Sequence, residues 1–269
     1  MKHITLNNNI KIPAIGYGVW QIEENIEQCV LAALECGYRH IDTASAYGNE
    51  AGVGKAIKES GIPRKELFIT TKLWNDDMRA DRTKEAFEES LERLGLDYVD
   101  LYLTHWPVKN KYIKSYLEME KLYERGLIKA IGVSNCLQHH LDDLLEKCGI
   151  VPAVNQIQIH PRWNQAAFIQ YCLNKGIAVE AYSPLGNGNL IGDTEIEEIA
   201  RLYNRSTAQI IIRWHLQRGV IVLPKSATLT RIRENINVFN FTLKEEHMER
   251  INQMNDDTCY GGHPDTFTF

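Results

Sequence analysis

Three things are scarce in this chain, and each scarcity removes a class of answer. No apolar run approaches the ~20 residues that span a bilayer, and the opening MKHITLNNNIKIP has no apolar core of the kind a secretory signal needs. The expectation is a soluble, cytoplasmic protein with no membrane partner. Positive charge is not in excess: 30 Lys and Arg stand against 35 Asp and Glu, a net charge of −5. Nothing therefore draws the whole molecule to nucleic acid. Cysteine occurs at positions 29, 36, 136, 148, 172 and 259, never as C-x-x-C. That scatter reads as reduced thiols, not a disulfide framework. Metal patterns are missing as well. There is no H-E-x-x-H, and His139–His140 open a predicted helix with no obvious acidic partner. They read as surface residues, and no metal is expected.

What is present is a rhythm. The 269 residues, 44% of them hydrophobic, suffice for one large core. Short apolar runs fall at 15–20, 39–42, 67–72, 99–105, 128–134, 153–157, 178–182 and 220–223. They are apolar on both faces, as strands buried in a parallel sheet must be. Segments of helical period lie between them, at 23–36, 81–94, 110–125 and 164–175, each followed by the glycine that suits a C-terminal cap: Gly37, Gly95, Gly126 and Gly176. Eight such units at this length predict a single-domain (β/α)8 barrel over residues 1–269, with an open doubly wound sheet as the alternative. Asn7–Asn8–Asn9 between two short apolar stretches predicts an N-terminal β-hairpin. Further helical segments near 206–218 and 244–255 lie around the eighth unit.

In a barrel, chemistry collects where strands end and loops begin. Three consecutive strands end on ionisable groups: Asp42, Lys72 and His105. A charge at the end of an apolar strand is costly unless paired. Tyr47 follows Asp42 in a loop of small residues, Thr43–Ala44–Ser45–Ala46, which leaves room for a substrate. Lysine paired with Asp42 stays charged, favours phenolate and so lowers Tyr47 from its usual ~10, which makes it a candidate general acid. His105 orients a carbonyl or shares the proton work. Each group alone has an ordinary structural reading: an ion pair, a loop tyrosine, a core histidine. Lys72 as a Schiff-base nucleophile is a competing chemistry.

The last strand leads into LPKSATLTRIREN, residues 223–235. Lys225, hydroxyls and Arg231 surround a helix start, with Thr230 as the expected cap and the helix beginning near Arg231, and together these read as a phosphate site. Gly52–Val53–Gly54–Lys55 is not a P-loop, because Ala56 stands where a hydroxyl is required, and no G-x-G-x-x-G follows a strand. Tyr182 offers a face for a flat ring; Ser134, Asn135 and Gln156 offer amide-matched polar groups on adjacent strand ends.

GYRHIDTASAYGNEAGVG at 37–54, KAIGVSN at 129–135, VNQIQIHP at 154–161, AYSPLG at 181–186 and LPKSATLTRIREN together resemble the aldo-keto reductases, nearly end to end. The tail from Gly261 to Phe267 resembles the short C-terminus of the microbial branch with diketogluconate and glyoxal reductases. The resemblance implies a monomeric barrel that reduces small aldehydes or ketones with NADPH. It implies a tetrad of Asp42, Tyr47, Lys72 and His105, with Tyr47 as proton donor. Ser134, Asn135 and Gln156 would hold the nicotinamide amide, with Tyr182 stacked on the ring and Ser183 and Leu185 beside it. Lys225, Ser226 and Arg231 would grip the 2′-phosphate, with Glu234 and Asn235 near the adenine, and Trp20, Trp74 and Trp106 would line the substrate pocket. Cys136 departs from the aromatic usual there, a change expected to alter packing beside the nicotinamide. The short loop after Tyr182 and the short tail imply an open pocket. Members of this fold that hold cofactor with little turnover keep a binding role as the alternative.

Overall fold

A computed structural model describes residues 2–269. β1 (His3–Thr5) and β2 (Lys11–Pro13) pair antiparallel as the predicted hairpin, with Asn9 in the left-handed region at φ 67°. Eight parallel strands follow: β3 (Tyr17–Gly18), β4 (His40–Asp42), β5 (Phe68–Leu73), β6 (Val99–Thr104), β7 (Ile128–Ser134), β8 (Val154–Gln158), β9 (Ala178–Tyr182) and β10 (Ile221–Val222). They neighbour one another in chain order. A parallel bridge between Ile15 and Val222, with Gly16 N–H donating to the Val222 carbonyl at 2.9 Å, joins the last strand to the first. The sheet is a closed (β/α)8 barrel, and no open edge remains.

The helices are α1 (Ile26–Glu35), α2 (Glu50–Glu59), α3 (Asn75–Arg79), α4 (Thr83–Leu94), α5 (Tyr112–Glu124), α6 (Gln138–Lys147), α7 (Ala166–Asn174), α8 (Thr194–Tyr203), α9 (Thr207–Gln217), α10 (Leu229–Ile236) and α11 (Glu245–Asn252). None is long and apolar enough to cross a membrane among the described residues. Their apolar stripes meet the outer faces of the strands. Phe87 of α4 is fully buried and packs edge-on against Tyr102 of β6; burying one such ring is worth about 2–3 kcal/mol. All four glycines expected to end helices have positive φ: 102° at Gly37, 63° at Gly95, 77° at Gly126 and 74° at Gly176.

One sequence feature gains its reason from the structure, and another resolves differently from expectation. Gly52 and Gly54 sit inside α2, where a Cβ on Gly54 would lie 2.1 Å from the Leu94 carbonyl oxygen and one on Gly52 2.4 Å from Ile26. They are glycines because α1 and α4 approach that closely. At the other end, α10 starts at Leu229 with Thr228 at its cap, so Thr230 lies within the helix and caps nothing. Ser226 Oγ instead accepts from Thr228 N–H at 3.0 Å and shapes the approach.

The barrel interior is divided along its axis. Towards the strand N-termini, Phe68, Leu101, Ala130, Val154 and Ile221, with Leu103 further along β6, form an apolar plug that Leu6 and Ile12 complete. Asn8 Nδ2 ties the hairpin to the Lys129 carbonyl at 2.9 Å. Apolar filling at this end leaves the polar interior side chains gathered towards the C-terminal face.

Candidate active site

The stretch from Gly37 to Glu50 shows how local sequence builds the rim. β4 ends on Asp42, whose backbone is in register with Gly18 of β3 and Thr70 of β5. Thr43 Oγ1 donates to Asn49 Oδ1 at 2.8 Å, and Asn49 Nδ2 reaches the Val19 and Ile22 carbonyls at 2.9 and 3.1 Å. The loops after β3 and β4 are thereby tied together. A 3₁₀ turn over Ser45–Tyr47 then ends at Gly48 with φ 68°. Ser45 Oγ donates to the Lys72 carbonyl at 3.0 Å, which draws the turn over β5.

That turn delivers Tyr47 to Lys72. Lys72 has no solvent exposure, and its Nζ donates to Asp42 Oδ1 at 2.6 Å, to the Thr43 carbonyl at 2.9 Å and to Tyr47 OH at 3.4 Å. Burial opposes the ammonium, yet Asp42, with Tyr47 and Glu180 adding, holds its pKa above the usual value. Lys72 is therefore a charged ammonium at neutral pH. His105 follows β6, its N–H bonded to the Leu73 carbonyl at 3.0 Å. Its ring meets Tyr47 and Trp74 edge-on, at centroid distances of 5.6 and 5.1 Å. Burial, then Lys72, pushes its pKa well below 6.5, so the imidazole is neutral.

Tyr47 departs from expectation. Burial raises its pKa, Lys72 pulls it down by charge and hydrogen bond, Asp42 pushes it up, and the net shift is upward. The expected lowering treats Lys72 as the dominant influence; it omits the desolvation of a phenolate. Tyr47 is half-buried at the cavity wall, so water there moderates that burial contribution.

The rim opens into one long cavity of about 1190 Å³. Asp42, Tyr47, His105, Trp20, Trp74 and Trp106 contribute to its lining. So do Ser134, Asn135, Gln156, Tyr182, Ser183 and Leu185, and Lys225, Ser226, Arg231, Glu234 and Asn235. Of the catalytic, cofactor and substrate residues that the resemblance implies, Lys72 alone is absent from the lining, because it sits behind Asp42 and Tyr47. The second of these groups is pre-ordered. Ser134 Oγ donates to the Gln156 carbonyl at 2.8 Å, Asn135 Nδ2 to the His105 carbonyl at 3.0 Å, and Tyr182 OH to Asn135 Oδ1 at 2.8 Å. Asn135 holds φ 60°, a conformation asparagine tolerates. Lys225 and Arg231 are exposed beside the first turn of α10 and have no acidic partner among the described residues. Two free cations with a helix N-terminus suit a dianionic phosphate.

Other positions differ from their sequence reading. Cys136 is fully buried in the outer core and does not line the cavity; its carbonyl accepts from Asn155 Nδ2 at 2.9 Å. His140 is not a surface residue: it is 8% exposed, and both it and His139 face Asp265, at 3.6 and 3.0 Å. His139, His140 and Asp265 are spaced as a metal site would be. However, His140 Nδ1 accepts from Leu137 N–H at 3.2 Å, so in the neutral ring its Nε2 keeps the proton and is no ligand. The tail also borders the cavity, which the sequence did not reveal. Phe269 stacks parallel to Trp74 at 6.2 Å and meets Trp106 edge-on at 5.0 Å. Tyr260 is tied across the cavity by Asn187 Nδ2, at 3.2 Å from its carbonyl. The aromatics of the tail were the available signal. Gln158, two residues after Gln156 and on the same strand face, was findable by the same alternation.

A parallel barrel with a carboxylate, an ammonium, a phenol and a neutral imidazole gathered at one large cavity defines an oxidoreductase-like architecture with room for an extended cofactor. Residues 14–256 match the Aldo/keto reductase family, and the chain belongs to that family of carbonyl-reducing oxidoreductases. It is 48% identical over 268 residues to the glyoxal reductase of Bacillus subtilis, covering 99% of this chain and 97% of that protein. It is 47% identical over 269 residues to the 9,11-endoperoxide prostaglandin H2 reductase of Trypanosoma cruzi, covering 98% and 95%. Among solved structures, a Gox0644 mutant in complex with NADPH superposes with a TM-score of 0.95 at 39% identity, covering 100% of this chain and 99% of that one.

Proposed function

We propose that the chain acts, as one domain, as an NADPH-dependent reductase of small aldehydes and ketones, with Tyr47 as the proton donor. The observation that carries this reading is the position of Lys72 Nζ, 2.6 Å from Asp42 Oδ1 and 3.4 Å from Tyr47 OH, directly behind these two residues of the wall of a cavity of about 1190 Å³.

The cavity's own chemistry fits the cofactor. Lys225, Ser226 and Arg231 would hold the 2′-phosphate, Glu234 and Asn235 the adenine end, and Ser134, Asn135 and Gln156 the carboxamide. Tyr182 would cover the nicotinamide, flanked by Ser183 and Leu185. The bound nucleotide supplies the hydride. Everything else comes from side chains. Trp20, Trp74 and Trp106 pack the substrate and exclude water. Neutral His105 donates a hydrogen bond to the carbonyl oxygen and orients it. Tyr47 OH gives that oxygen its proton as the alkoxide forms, and the Lys72 ammonium stabilises the tyrosinate that remains. Asp42 keeps Lys72 charged and in place. One hydride and one proton convert the carbonyl to the alcohol. Lys72 does not act as a Schiff-base nucleophile on this reading, because a lysine held as ammonium by a carboxylate has no free lone pair.

Relatives of nearly equal identity act on glyoxal and on a prostaglandin endoperoxide, so overall similarity does not select the substrate. The aromatic mouth and the polar floor favour small carbonyls. A panel of aldehydes and ketones, followed by loss of NADPH absorbance and repeated with NADH, tests the reading. Consumption of NADPH with at least one small aldehyde is expected. Cofactor binding without turnover across the panel would instead support a binding role.

A further inference from the structure

Among the ionisable groups of the barrel interior that the reaction above does not use is a carboxyl group. Glu180 lies mid-strand in β9 with no solvent exposure, in register with Gln156 of β8 and Ile221 of β10. Its Oε2 accepts from Gln156 Nε2 at 2.7 Å, and the same nitrogen donates to Asp42 Oδ2 at 2.8 Å. An amide nitrogen has two protons, and both are engaged. Turning the amide over would place its oxygen against two carboxyl groups, so this orientation is the favourable one. Gln156 Oε1 is then the atom left to accept from a ligand.

We propose that Glu180 is a positioning residue for the cofactor: with Asp42 it clamps the Gln156 amide so that Oε1 is presented to the carboxamide of the bound nicotinamide. The proposal rests on the cofactor reading given above.

The surroundings of Glu180 set its protonation. It is faced by His40 and Asp42 of β4, by Lys72 of β5 and by Gln156 of β8, while Ile221 on the β10 side adds no charge. His40 Nδ1 lies 3.8 Å from Glu180 Oε1, and neither atom has a hydrogen-bond partner. The ring cannot swing aside: its Nε2 is bonded to Thr70 Oγ1 at 3.0 Å, and a Cβ on Gly16 would come within 2.6 Å of Nδ1. One cation, Lys72, thus serves two buried carboxyl groups. Asp42 makes the direct contact, so Glu180 is the one that keeps a proton at neutral pH. Burial, then the charge of Asp42, pushes it up to about 8. Above that value its ionisation adds a negative charge close to Lys72 and Asp42. That charge weakens Tyr47 as an acid, and turnover declines.

The test measures NADPH affinity by fluorescence and kcat across neutral to alkaline pH for the wild type, Glu180→Gln and Glu180→Ala. Glu180→Gln keeps an acceptor for Gln156 and cannot titrate. It is expected to bind NADPH within about twofold of wild type and to lose the decline in kcat near pH 8. Glu180→Ala frees one Gln156 proton from its partner and is expected to weaken NADPH roughly tenfold. A Glu180→Gln profile that keeps the wild-type decline overturns the proposal, as does unchanged NADPH affinity in Glu180→Ala. The near-isosteric glutamine variant decides the matter if the alanine variant does not fold. Wild-type protein that binds no NADPH sinks the underlying cofactor reading instead, so the two failures are distinguishable.

Discussion

Replacing Lys72 with methionine separates the two roles the structure gives this side chain. Methionine fills the stem as far as Cε and lacks only the terminal ammonium, so the change is mainly one of charge. Lys72 makes three polar contacts without solvent exposure, and Asp42 opposite it is 5% exposed. Removing one partner of a buried ion pair leaves the other uncompensated, at a cost of about 3–5 kcal/mol. At about 2–4 °C of melting temperature per kcal/mol for a chain of this size, the variant should melt roughly 6–20 °C lower. Lys72→Met combined with Asp42→Asn removes both charges and should recover most of that loss. Activity should follow a different course. Without the ammonium, proton donation by Tyr47 loses about 10²- to 10⁴-fold, and the double variant stays inactive. The alkaline limb gives an independent check. The pKa of Lys72 is held above 10.5 in the folded state, so its contribution is present in full below 10.5 and is lost as pH rises through the folded value. Urea titrations monitored by tryptophan fluorescence, with kcat/KM measured in parallel, read both effects. If the single variant is as stable as wild type, or the double variant regains turnover, the reasoning from the buried pair is wrong.

Two further consequences concern the cofactor grip and acid. Arg231→Ala should weaken NADPH about tenfold or more and leave NADH nearly unchanged, because the lost bond is to the 2′-phosphate; equal weakening of both, read by isothermal titration, would sink that assignment. Acid should destabilise the fold through buried imidazoles. Burial, then Lys72, lowers His40 to about 3, and burial, then Arg218 and His160, holds His215 well below 6.5. The unfolded chain binds those protons first, so the stability of these sites is complete above pH 6.5 and is lost as pH falls from there towards the folded values. Near pH 5 each costs about 2 kcal/mol. A melting temperature that stays flat between pH 7 and 5 would contradict this.

The barrel was legible because its strands are apolar on both faces and end on polar groups. Asp42, Lys72 and His105 could be picked out from that contrast alone. Glu180 escaped the same test although it stands between Val179 and Ala181. Its importance depends on register with Gln156, and register is set by the sheet. Glycine at 52 and 54 lowers helix propensity, and only the approach of α1 and α4 explains it inside α2. The tail's aromatics stand in the sequence, but not what they touch. Phe269 meets Trp74 and Trp106 across more than half the chain, and no local pattern encodes such a contact. The sign of the Tyr47 shift was missed because charges can be counted in a sequence, whereas desolvation cannot.

Tyr47→Phe tests the central claim most directly. The substitution removes one oxygen, 3.4 Å from Lys72 Nζ, and keeps the ring that meets His105. With wild-type protein consuming NADPH against a small aldehyde, the variant should bind NADPH as tightly while kcat falls by at least about 10²-fold. Reduction of the same aldehyde by Tyr47→Phe at the wild-type rate would show that the proton comes from elsewhere.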